Sequence, residues 1–477
     1  MSELPAEVVY DVAIIGSGPA GYTAAIRAGQ LGLKVALIEM TNVLGGTCLH
    51  VGCIPTKTLL FNAEIWDHFK HASEYGIDNT AAPVLNWENV LKRKTMIVDK
   101  HTKGLEFLMR KNKVTVVNGY GRLTGPAQGG IHSVDVRAPN GEKTTLKSKN
   151  VILASGSVAR TMLGLEPDDR ILTNIEILSI SEVPKSLIVI GAGAVGVEFA
   201  SIFRSYGTET TIVEFLPRLM PPEDEDVSKE LTRLFKKRGI DLNTSCKVER
   251  IERTFSGVKV TWTTANGTSV EREAEKVLIA VGRAPRTENL GIETTKIELD
   301  RGFVKVNESQ ETAEPGVYAI GDIAAGLPQL AHVGGMSGIV AVTKIAGRSY
   351  KSVRRDRIPA CTYSEPQIGS VGLTEAQARQ QGFEVKVGKF PFAGNSKASI
   401  VDSHDGFVKM VADAKTRKLL GVHIIGPSAT ELIAEAVAVL TLGGTADDLM
   451  FTIHAHPTLS EALLDGYSAI DGMAINA

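Results

Sequence analysis

Two stretches of the chain repeat the same order of hydrophobic and polar positions. The first has short apolar runs at 12–15 and 35–38, and the second has them at 187–190 and 211–213. In each stretch a glycine-rich turn and a helix-like segment that ends at a glycine separate the two runs. This order predicts a strand, a turn, a helix and a second strand, which is the building unit of parallel α/β folds.

The turn of each stretch carries three glycines in the pattern GxGxxG. They are Gly16, Gly18 and Gly21 in the first stretch and Gly191, Gly193 and Gly196 in the second. An acid, Glu39 or Glu214, stands 23 positions after the first glycine in both stretches. The first glycine permits a tight turn, the second lets the backbone approach a pyrophosphate, and the third lets the helix pack on the strand, while the acid accepts hydrogen bonds from ribose. We therefore predict two bound dinucleotides, or one beside an evolutionary relic; two glycine-rich turns without a ligand are the alternative.

The acids also bear on which dinucleotide binds. A carboxylate at Glu39 or Glu214 would repel the 2′-phosphate of NADP, and the residues after Glu214 contain a single nearby arginine, Arg218. The second site is therefore predicted to bind NAD rather than NADP. Glu39 by itself does not distinguish FAD from NAD.

A pair of cysteines, Cys48 and Cys53, follows the first stretch directly, and their spacing is unlike that of zinc sites. A disulfide needs Cα atoms about 4.4–6.8 Å apart. Five residues of ideal helix rise about 7.5 Å and turn about 140° away from alignment. The pair can close only on a distorted stretch, which Gly52 and Pro55 favour. We expect a reactive bridge whose thiolate pKa a helix N-terminus lowers; two ordinary buried thiols are the alternative.

Composition narrows the class of protein. The chain has 477 residues, 43% of them apolar, which is enough for about three packed domains. A net charge of −2 argues against nucleic-acid and membrane-surface partners, and no apolar run reaches the length of a membrane span. Residues 1–7 contain acids and no basic apolar leader, so we expect no secretory or transit segment. Four cysteines, Cys48, Cys53, Cys246 and Cys361, fit a reducing compartment, either the cytoplasm or the mitochondrial matrix.

The cysteine segment GGTCLHVGCIPTK at 45–57 resembles the redox-active motif of the flavoprotein pyridine nucleotide-disulfide oxidoreductases, and most closely their lipoamide branch. The likeness extends over essentially the whole chain. Further matching segments are 154–157 (ASGS), 281–285 (VGRAP), 318–322 (YAIGD), 390–392 (FPF) and 454–461 (HAHPTLSE). The resemblance implies an α/β fold with two Rossmann-like dinucleotide-binding domains and a C-terminal α+β interface domain. The implied boundaries are 1–153 and 283–353 for the two parts of the FAD domain, 154–282 for the NAD domain and 354–477 for the interface domain.

The resemblance also implies roles for individual residues. The first glycine turn and Glu39 would hold the ADP half of a tightly but non-covalently bound FAD, and Asp322 would bind its flavin side. The second turn, Glu214 and Gly282 would belong to the NAD site. Lys57 would lie near the flavin with Glu198 as its acidic partner. A solvated helix face is the alternative for Lys57 and Glu198, and no metal site is expected.

A catalytic base is implied near the C-terminus. Thiol–disulfide exchange needs a group that takes and returns a proton, and His456, oriented by Glu461, would serve. His454 would support them. A purely structural His–Glu pair is the alternative. In the family this histidine comes from the other subunit, which implies a homodimer.

The implied reaction oxidises a dihydrolipoyl group with NAD⁺. Cys48 would exchange with the substrate thiols, and Cys53, on the flavin side, would pass electrons to FAD. The substrate would arrive on a lipoyl-bearing acyltransferase or carrier protein of a multienzyme complex.

Other functions within the same family predict different residues. A glutathione-type reductase would have more arginines after Glu214, a thioredoxin or mercuric reductase would have additional C-terminal cysteines, and a transhydrogenase would lack the cysteine pair. A non-catalytic scaffold subunit is the remaining alternative.

Two departures from the family pattern stand out. His50 replaces the asparagine usual in the lipoamide branch, so a second imidazole could lie beside the disulfide. Residues 333–335 read Val-Gly-Gly, where the family usually has a more polar helix with acids.

Overall fold

The computed structural model describes residues 8–78 and 82–476, so the expectation for residues 1–7 lies outside the described residues. The helices are α1 Pro19–Gln30, α2 Gly46–Val51, α3 Cys53–Lys70, α4 Trp87–Lys111, α5 Ala194–Ser205, α6 Glu225–Lys237, α7 Ala331–Ile345, α8 Glu375–Gln380, α9 Ser396–Ile400, α10 Ala429–Leu442, α11 Ala446–Met450 and α12 Glu461–Ser468. None of these helices has the length and hydropathy needed to cross a bilayer, among the residues described.

Strands make up several separate sheets. The strands are β1 Val9–Ile15, β2 Val35–Glu39, β3 Thr115–Asn118, β4 Tyr120–Leu123, β5 His132–Arg137, β6 Lys143–Leu153, β7 Ser157–Ala159, β8 Ile171–Leu172, β9 Ser186–Ile190, β10 Glu209–Val213, β11 Asp241–Asn243, β12 Lys247–Arg253, β13 Val258–Thr263, β14 Ser269–Ala274, β15 Lys276–Ile279, β16 Arg283–Pro285, β17 Leu299–Asp300, β18 Phe303–Val304, β19 Val317–Ala319, β20 Ala360–Thr362, β21 Gln367–Gly372, β22 Val385–Pro391, β23 Phe407–Asp413 and β24 Leu419–Gly426. Both predicted strand–turn–helix–strand stretches are confirmed, as β1–α1–β2 and β9–α5–β10.

The chain divides into two compact units, each made of three segments. The first unit contains Met1–Thr58, Leu91–Arg160 and Arg283–Val353, and the second contains Leu59–Val90, Thr161–Gly282 and Arg354–Ala477. The borders at 282/283 and 353/354 coincide with borders of the four predicted segments. Residues 59–90 group with the second unit instead of the first, and residues 154–160 group with the first. The division into FAD, NAD and interface domains stays a prediction.

The first unit is built on a seven-stranded sheet in the order β3-β2-β1-β6-β5-β4, with β19 also paired to β6. Strands β1, β2, β3 and β19 run parallel to their neighbours. Alternate residues of β1 enter two different cores: Val12 and Ile14 pack with the alanines of α1, while Ala13 and Ile15 pack on the other face. Both faces are therefore covered, which explains why the strand is an uninterrupted apolar run.

The departure at 333–335 has a packing reason. These residues lie in α7, which packs against α1. A Cβ at Gly334 would stand 3.1 Å from the Cβ of Ala20 and 3.3 Å from the Cα of Gly321. Glycine at 334 thus allows the two helices to approach closely, and the departure leaves the fold intact.

The second unit contains a five-stranded parallel sheet, β11-β10-β9-β15-β8, and a three-stranded antiparallel sheet, β12-β13-β14. Its C-terminal part is a five-stranded antiparallel sheet, β20-β21-β24-β23-β22, whose core includes residues of α10 and α12. The predicted fold class, two α/β nucleotide folds followed by an α+β segment, is confirmed.

Candidate active site

The glycine turn of the first unit has two closed positions and one open position. A Cβ at Gly16 would collide with the carbonyl oxygen of Ala154, and a Cβ at Gly21 would collide with that of Gly16. At Gly18 an added Cβ meets nothing within 4 Å. The outer glycines are therefore required by the fold, whereas the middle glycine opens onto space that a phosphate group can enter.

The second unit repeats this arrangement. Added Cβ atoms at Gly191 and Gly196 would collide with the carbonyl oxygens of Ala280 and Gly191, and at Gly193 nothing lies within 4 Å. Gly282, with a φ of +101°, follows β15 and stands two residues after Ala280, whose carbonyl oxygen contacts Gly191 of this turn. Both turns thus fit a dinucleotide in the way that the sequence predicts.

The two acids take equivalent positions. Glu39 accepts hydrogen bonds from the backbone N–H of Ser17 at 3.0 Å and from the Ser17 hydroxyl at 2.6 Å. Glu214 accepts from the backbone N–H of Ala192 at 2.5 Å and of Leu216 at 2.7 Å. Ser17 and Ala192 are the middle residues of the two Gly-x-Gly turns, so each carboxylate is held beside its glycine turn.

The single arginine near Glu214 is engaged elsewhere. Nη2 of Arg218 donates to the carbonyl oxygens of Pro221 at 2.7 Å and Glu223 at 3.2 Å. Nη2 of this guanidinium is thus held by backbone acceptors of its own loop. This geometry favours NAD over NADP at the second turn.

The cysteine pair lies at a break between two helices. Helix α2 ends at Val51, Gly52 has φ −148° and ψ −117°, and Cys53 is the first residue of α3. A Cβ at Gly52 would stand 3.2 Å from the Cα of Cys48. The distortion predicted at Gly52 is present, and it brings the thiols of Cys48 and Cys53 into a hydrogen bond with each other.

The expectation of a lowered thiol pKa is wrong for Cys48. Its pKa is raised, first by the hydrogen bond to Cys53 and then by burial, while the charge of Lys57 acts in the opposite direction. A proton shared between two adjacent thiols is harder to remove, and this effect on the pKa is larger than that of a helix N-terminus. Cys53, at the first position of an 18-residue helix, has the environment that stabilises a thiolate.

The sequence analysis missed Tyr22, which lies close to the pair. Burial raises the pKa of its phenol, and charge on Cys48 or Cys53 raises it further. The available signal was a polar aromatic residue directly after Gly21. His50, in contrast, lies 2.8 Å through Nε2 from the carbonyl oxygen of Leu44, so this ring nitrogen is committed to the backbone.

Glu198 and Lys57 are not on a solvated helix face. Glu198 is 3% exposed on α5 and accepts the backbone N–H of Tyr363 at 2.9 Å through Oε1. Lys57, the fifth residue of α3, is partly buried. Asp322, in the first unit, accepts a hydrogen bond from Ser157 through Oδ2. The roles assigned to these residues stay predictions.

His456 and Glu461 meet in the second unit. Nδ1 of His456 lies 2.9 Å from Oε1 of Glu461, and the imidazole is 71% exposed. His454 forms a separate pair with Glu435, in which Nε2 of His454 lies 3.0 Å from Oε1 of Glu435. The structure therefore brings the cysteines and Lys57 together in one unit, and the His–Glu pair together in the other.

Comparison with known proteins places these features in a family context. The family described as pyridine nucleotide-disulphide oxidoreductase matches residues 10–338, and its dimerisation domain matches residues 358–466. Dihydrolipoyl dehydrogenase of Bacillus subtilis (strain 168) is 44% identical, covering 98% of this chain and 99% of the relative. Dihydrolipoyl dehydrogenase 3 of Pseudomonas putida is 41% identical with the same coverage. The crystal structure of LpdA from Mycobacterium tuberculosis superposes with a TM-score of 0.88 at 26% identity, covering 96% of this chain and 98% of that one.

Proposed function

Because the chain belongs to the pyridine nucleotide-disulphide oxidoreductase family, we propose that it is a dihydrolipoyl dehydrogenase, which oxidises a protein-bound dihydrolipoyl group with NAD⁺ as the acceptor. The observation that carries this proposal is the hydrogen-bonded pair Cys48 and Cys53 at the helix break after the first dinucleotide turn. A disulfide at this place can exchange with a substrate dithiol and stay beside a bound cofactor.

The cofactors are FAD and NAD. The first glycine turn, Glu39, Asp322 and Lys57 would hold FAD, and the second turn, Glu214 and Gly282 would hold NAD. Bound FAD would supply the two-electron redox chemistry that links the cysteine pair to NAD⁺. The protein binds, orients and shields these groups, and its own chemistry is thiol exchange and proton transfer.

Thiol–disulfide exchange requires only the Cys48–Cys53 disulfide, His456 and the two thiols of the substrate. One substrate thiol loses its proton to Nε2 of His456, and the thiolate attacks the sulfur of Cys48. The new sulfur–sulfur bond forms as the Cys48–Cys53 bond breaks, and Cys53 leaves as a thiolate. The second substrate thiol then displaces Cys48 from the mixed disulfide; the Cys48 sulfur takes up the proton that His456 holds, and the imidazole accepts the proton of the second thiol. One proton thus ends on Cys48 and the other on His456, which balances the negative charge of Cys53. The substrate dithiol is oxidised to a disulfide and the cysteine pair is reduced.

In the reduced pair the two thiols are hydrogen-bonded to each other. Cys53 is the first residue of α3, so the helix N-terminus and Lys57, one helical turn further along, favour negative charge on the Cys53 sulfur. This arrangement supports Cys48 as the exchanging thiol and Cys53 as the thiol on the flavin side.

The match of residues 358–466 to the dimerisation domain of the family indicates a homodimer. We propose that each site uses His456 of the partner subunit. Support comes from the 71% exposure of this imidazole and from its apolar neighbours in the chain, Phe451 and Ile453, which are 81% and 97% exposed. We also propose a cytoplasmic location and, as the substrate's carrier, a lipoyl-bearing subunit of a multienzyme complex.

Anaerobic reduction of the purified protein tests the proposed function. Dihydrolipoamide or NADH should produce the long-wavelength absorption of a thiolate beside oxidised flavin in the wild type. Cys53→Ser should abolish this band, because the thiolate is gone, whereas the control Cys361→Ser should retain it. A Cys53→Ser protein that keeps the band, or a purified wild type without flavin, would overturn the proposal. A glutathione-type reductase is disfavoured because Arg218 is the single arginine close after Glu214, and its Nη2 donates to backbone carbonyls.

A further inference from the structure

Three residues from distant parts of the first unit form one hydrogen-bonded chain. Nε of Arg283 donates to the hydroxyl oxygen of Ser157 at 2.7 Å, and that hydroxyl donates to Oδ2 of Asp322. Nη2 of Arg283 also donates to the carbonyl oxygen of Ser157, at 2.8 Å. The serine is thus held at both its side chain and its backbone by the same guanidinium.

The chemistry of the three groups sets the direction of the chain. A guanidinium can only donate, and a serine hydroxyl has one hydrogen. Because Arg283 occupies a lone pair of the hydroxyl, the hydrogen of Ser157 is aimed at Asp322, where Oδ2 must accept it. Burial lowers the pKa of Arg283, and the negative charge of Asp322 raises it. The guanidinium and the carboxylate therefore interact electrostatically as well as through Ser157.

The backbone makes this arrangement rigid. Strands β7 and β16 pair antiparallel, with Pro285 opposite Ser157 and Arg283 opposite Ala159. Nε of Arg160 donates to the carbonyl oxygen of Arg283 at 3.0 Å, and Ser157 is buried. Asp322 is fixed from its own side as well, since its carbonyl oxygen accepts Nε2 of Gln329 at 3.3 Å.

One carboxylate oxygen remains for a ligand. Oδ1 of Asp322 accepts no hydrogen bond from the residues that the structure describes, and the side chain is partly exposed. We propose that Ser157, held by Arg283, is a positioning residue that orients the Asp322 carboxylate so that Oδ1 faces hydroxyl groups on the flavin side of FAD. The inference rests on the proposed function, because it takes Asp322 as an FAD-binding residue.

Equilibrium binding of FAD to the apoprotein tests the inference without a turnover assay. Ser157→Ala removes the donor to a charged acceptor, a loss that typically weakens an interaction about tenfold or more. We expect the Kd for FAD to rise by that factor in Ser157→Ala and to return to within about threefold of the wild type in Ser157→Thr, which keeps a hydroxyl. Ser155→Ala is the matched control, because its hydroxyl donates to the carbonyl oxygen of Arg286 at 2.6 Å and not to Asp322.

Asp322→Asn distinguishes an error in the role of Ser157 from an error in the assignment of Asp322 to FAD binding. If it weakens FAD binding while Ser157→Ala does not, the positioning role of Ser157 is wrong and the proposed function stands. If Asp322→Asn binds FAD like the wild type, the assignment of Asp322 itself is wrong. If Ser155→Ala weakens binding as much as Ser157→Ala, the effect belongs to the turn and not to the hydrogen bond to Asp322, which also overturns the inference.

Discussion

Glu461 holds His456 in a single tautomer. Oε1 of Glu461 lies 2.9 Å from Nδ1 of His456, and Oε2 accepts the backbone N–H of Thr458 at 2.7 Å. The hydrogen bond from Thr458, aided by His456, lowers the pKa of Glu461 in spite of its burial. An ionised carboxylate can only accept, so Nδ1 carries the ring hydrogen, and Nε2 is the nitrogen that can accept a proton, as the proposed function requires.

His456→Gln should slow the dihydrolipoamide half-reaction by about 10²–10⁴-fold, the usual contribution of a general base. Reduction of the bound flavin by NADH should stay within about twofold of the wild type, because that transfer needs no thiol deprotonation. Rapid-mixing measurements of the two half-reactions check this. The exposed His404 supplies the control His404→Gln. Equal slowing of both half-reactions by His456→Gln would contradict the assignment.

Glu214→Gln should reduce the preference for NADH. The carboxylate beside the second turn repels a 2′-phosphate, and we expect NADH to exceed NADPH in kcat/KM by about a hundredfold in the wild type. The neutral amide should cut this ratio by about tenfold. Steady-state kinetics with both nucleotides measures the effect. Arg218→Ala is the comparison, because that guanidinium binds backbone carbonyls; a matching change in its ratio would show that Glu214 does not set the preference.

The two helix-side glycines of the second turn should respond differently to alanine. Gly193 has φ −77° and an open Cβ position, so Gly193→Ala should fold normally but obstruct the phosphate, raising the KM for NADH more than about tenfold. Gly196→Ala places a Cβ against the carbonyl oxygen of Gly191 and should lower the melting temperature and the yield of folded protein. NADH titration and thermal melting distinguish the two. Normal NADH affinity in Gly193→Ala would show that no phosphate approaches this position.

Glu223→Gln should stabilise the protein at high pH only. Glu223 is 4% exposed, and burial, with the charge of Asp224, raises its pKa to about 7 against the opposing hydrogen bond of Ser370. An unfolded glutamate titrates near pH 4.3, so the native state has to bury a carboxylate as the pH rises above about 7. The cost, about 4 kcal/mol at most, is absent below about pH 4, where both states are protonated.

Thermal unfolding at about pH 8 and about pH 4 measures this difference. The melting temperature of Glu223→Gln should exceed that of the wild type at the higher pH and match it at the lower. Glu225→Gln is the control, because Glu225 is exposed and pairs with Lys229 at 2.9 Å on the surface of α6. A gain of equal size at both pH values would mean that ionisation of Glu223 is not its cause.

Lys409 illustrates what could not be predicted from the sequence. It lies in β23, where its side chain is 3% exposed, and its Nζ lies 2.8 Å from Asp224 and 2.9 Å from Glu375. Alternation along a strand indicates which residues share a face but not which distant carboxylates meet them. The prediction that the pKa of Cys48 is lowered was wrong for the same reason. The hydrogen bond to Cys53 and the burial of the thiol raise this pKa by more than a helix N-terminus lowers it.

The sequence by itself determined the two glycine turns, their acids and the helix break at Gly52, whereas the His456–Glu461 pair was expected only from the resemblance to the family. These features depend on spacings of a few residues or on a single strand–turn–helix–strand unit, where backbone geometry leaves few solutions. Only the tertiary structure decided the partner of Asp322, the engagement of Arg218 and the buried setting of Glu223 and Lys409. Charge interactions and desolvation depend on distances between groups far apart in the chain, and packing alone sets those distances.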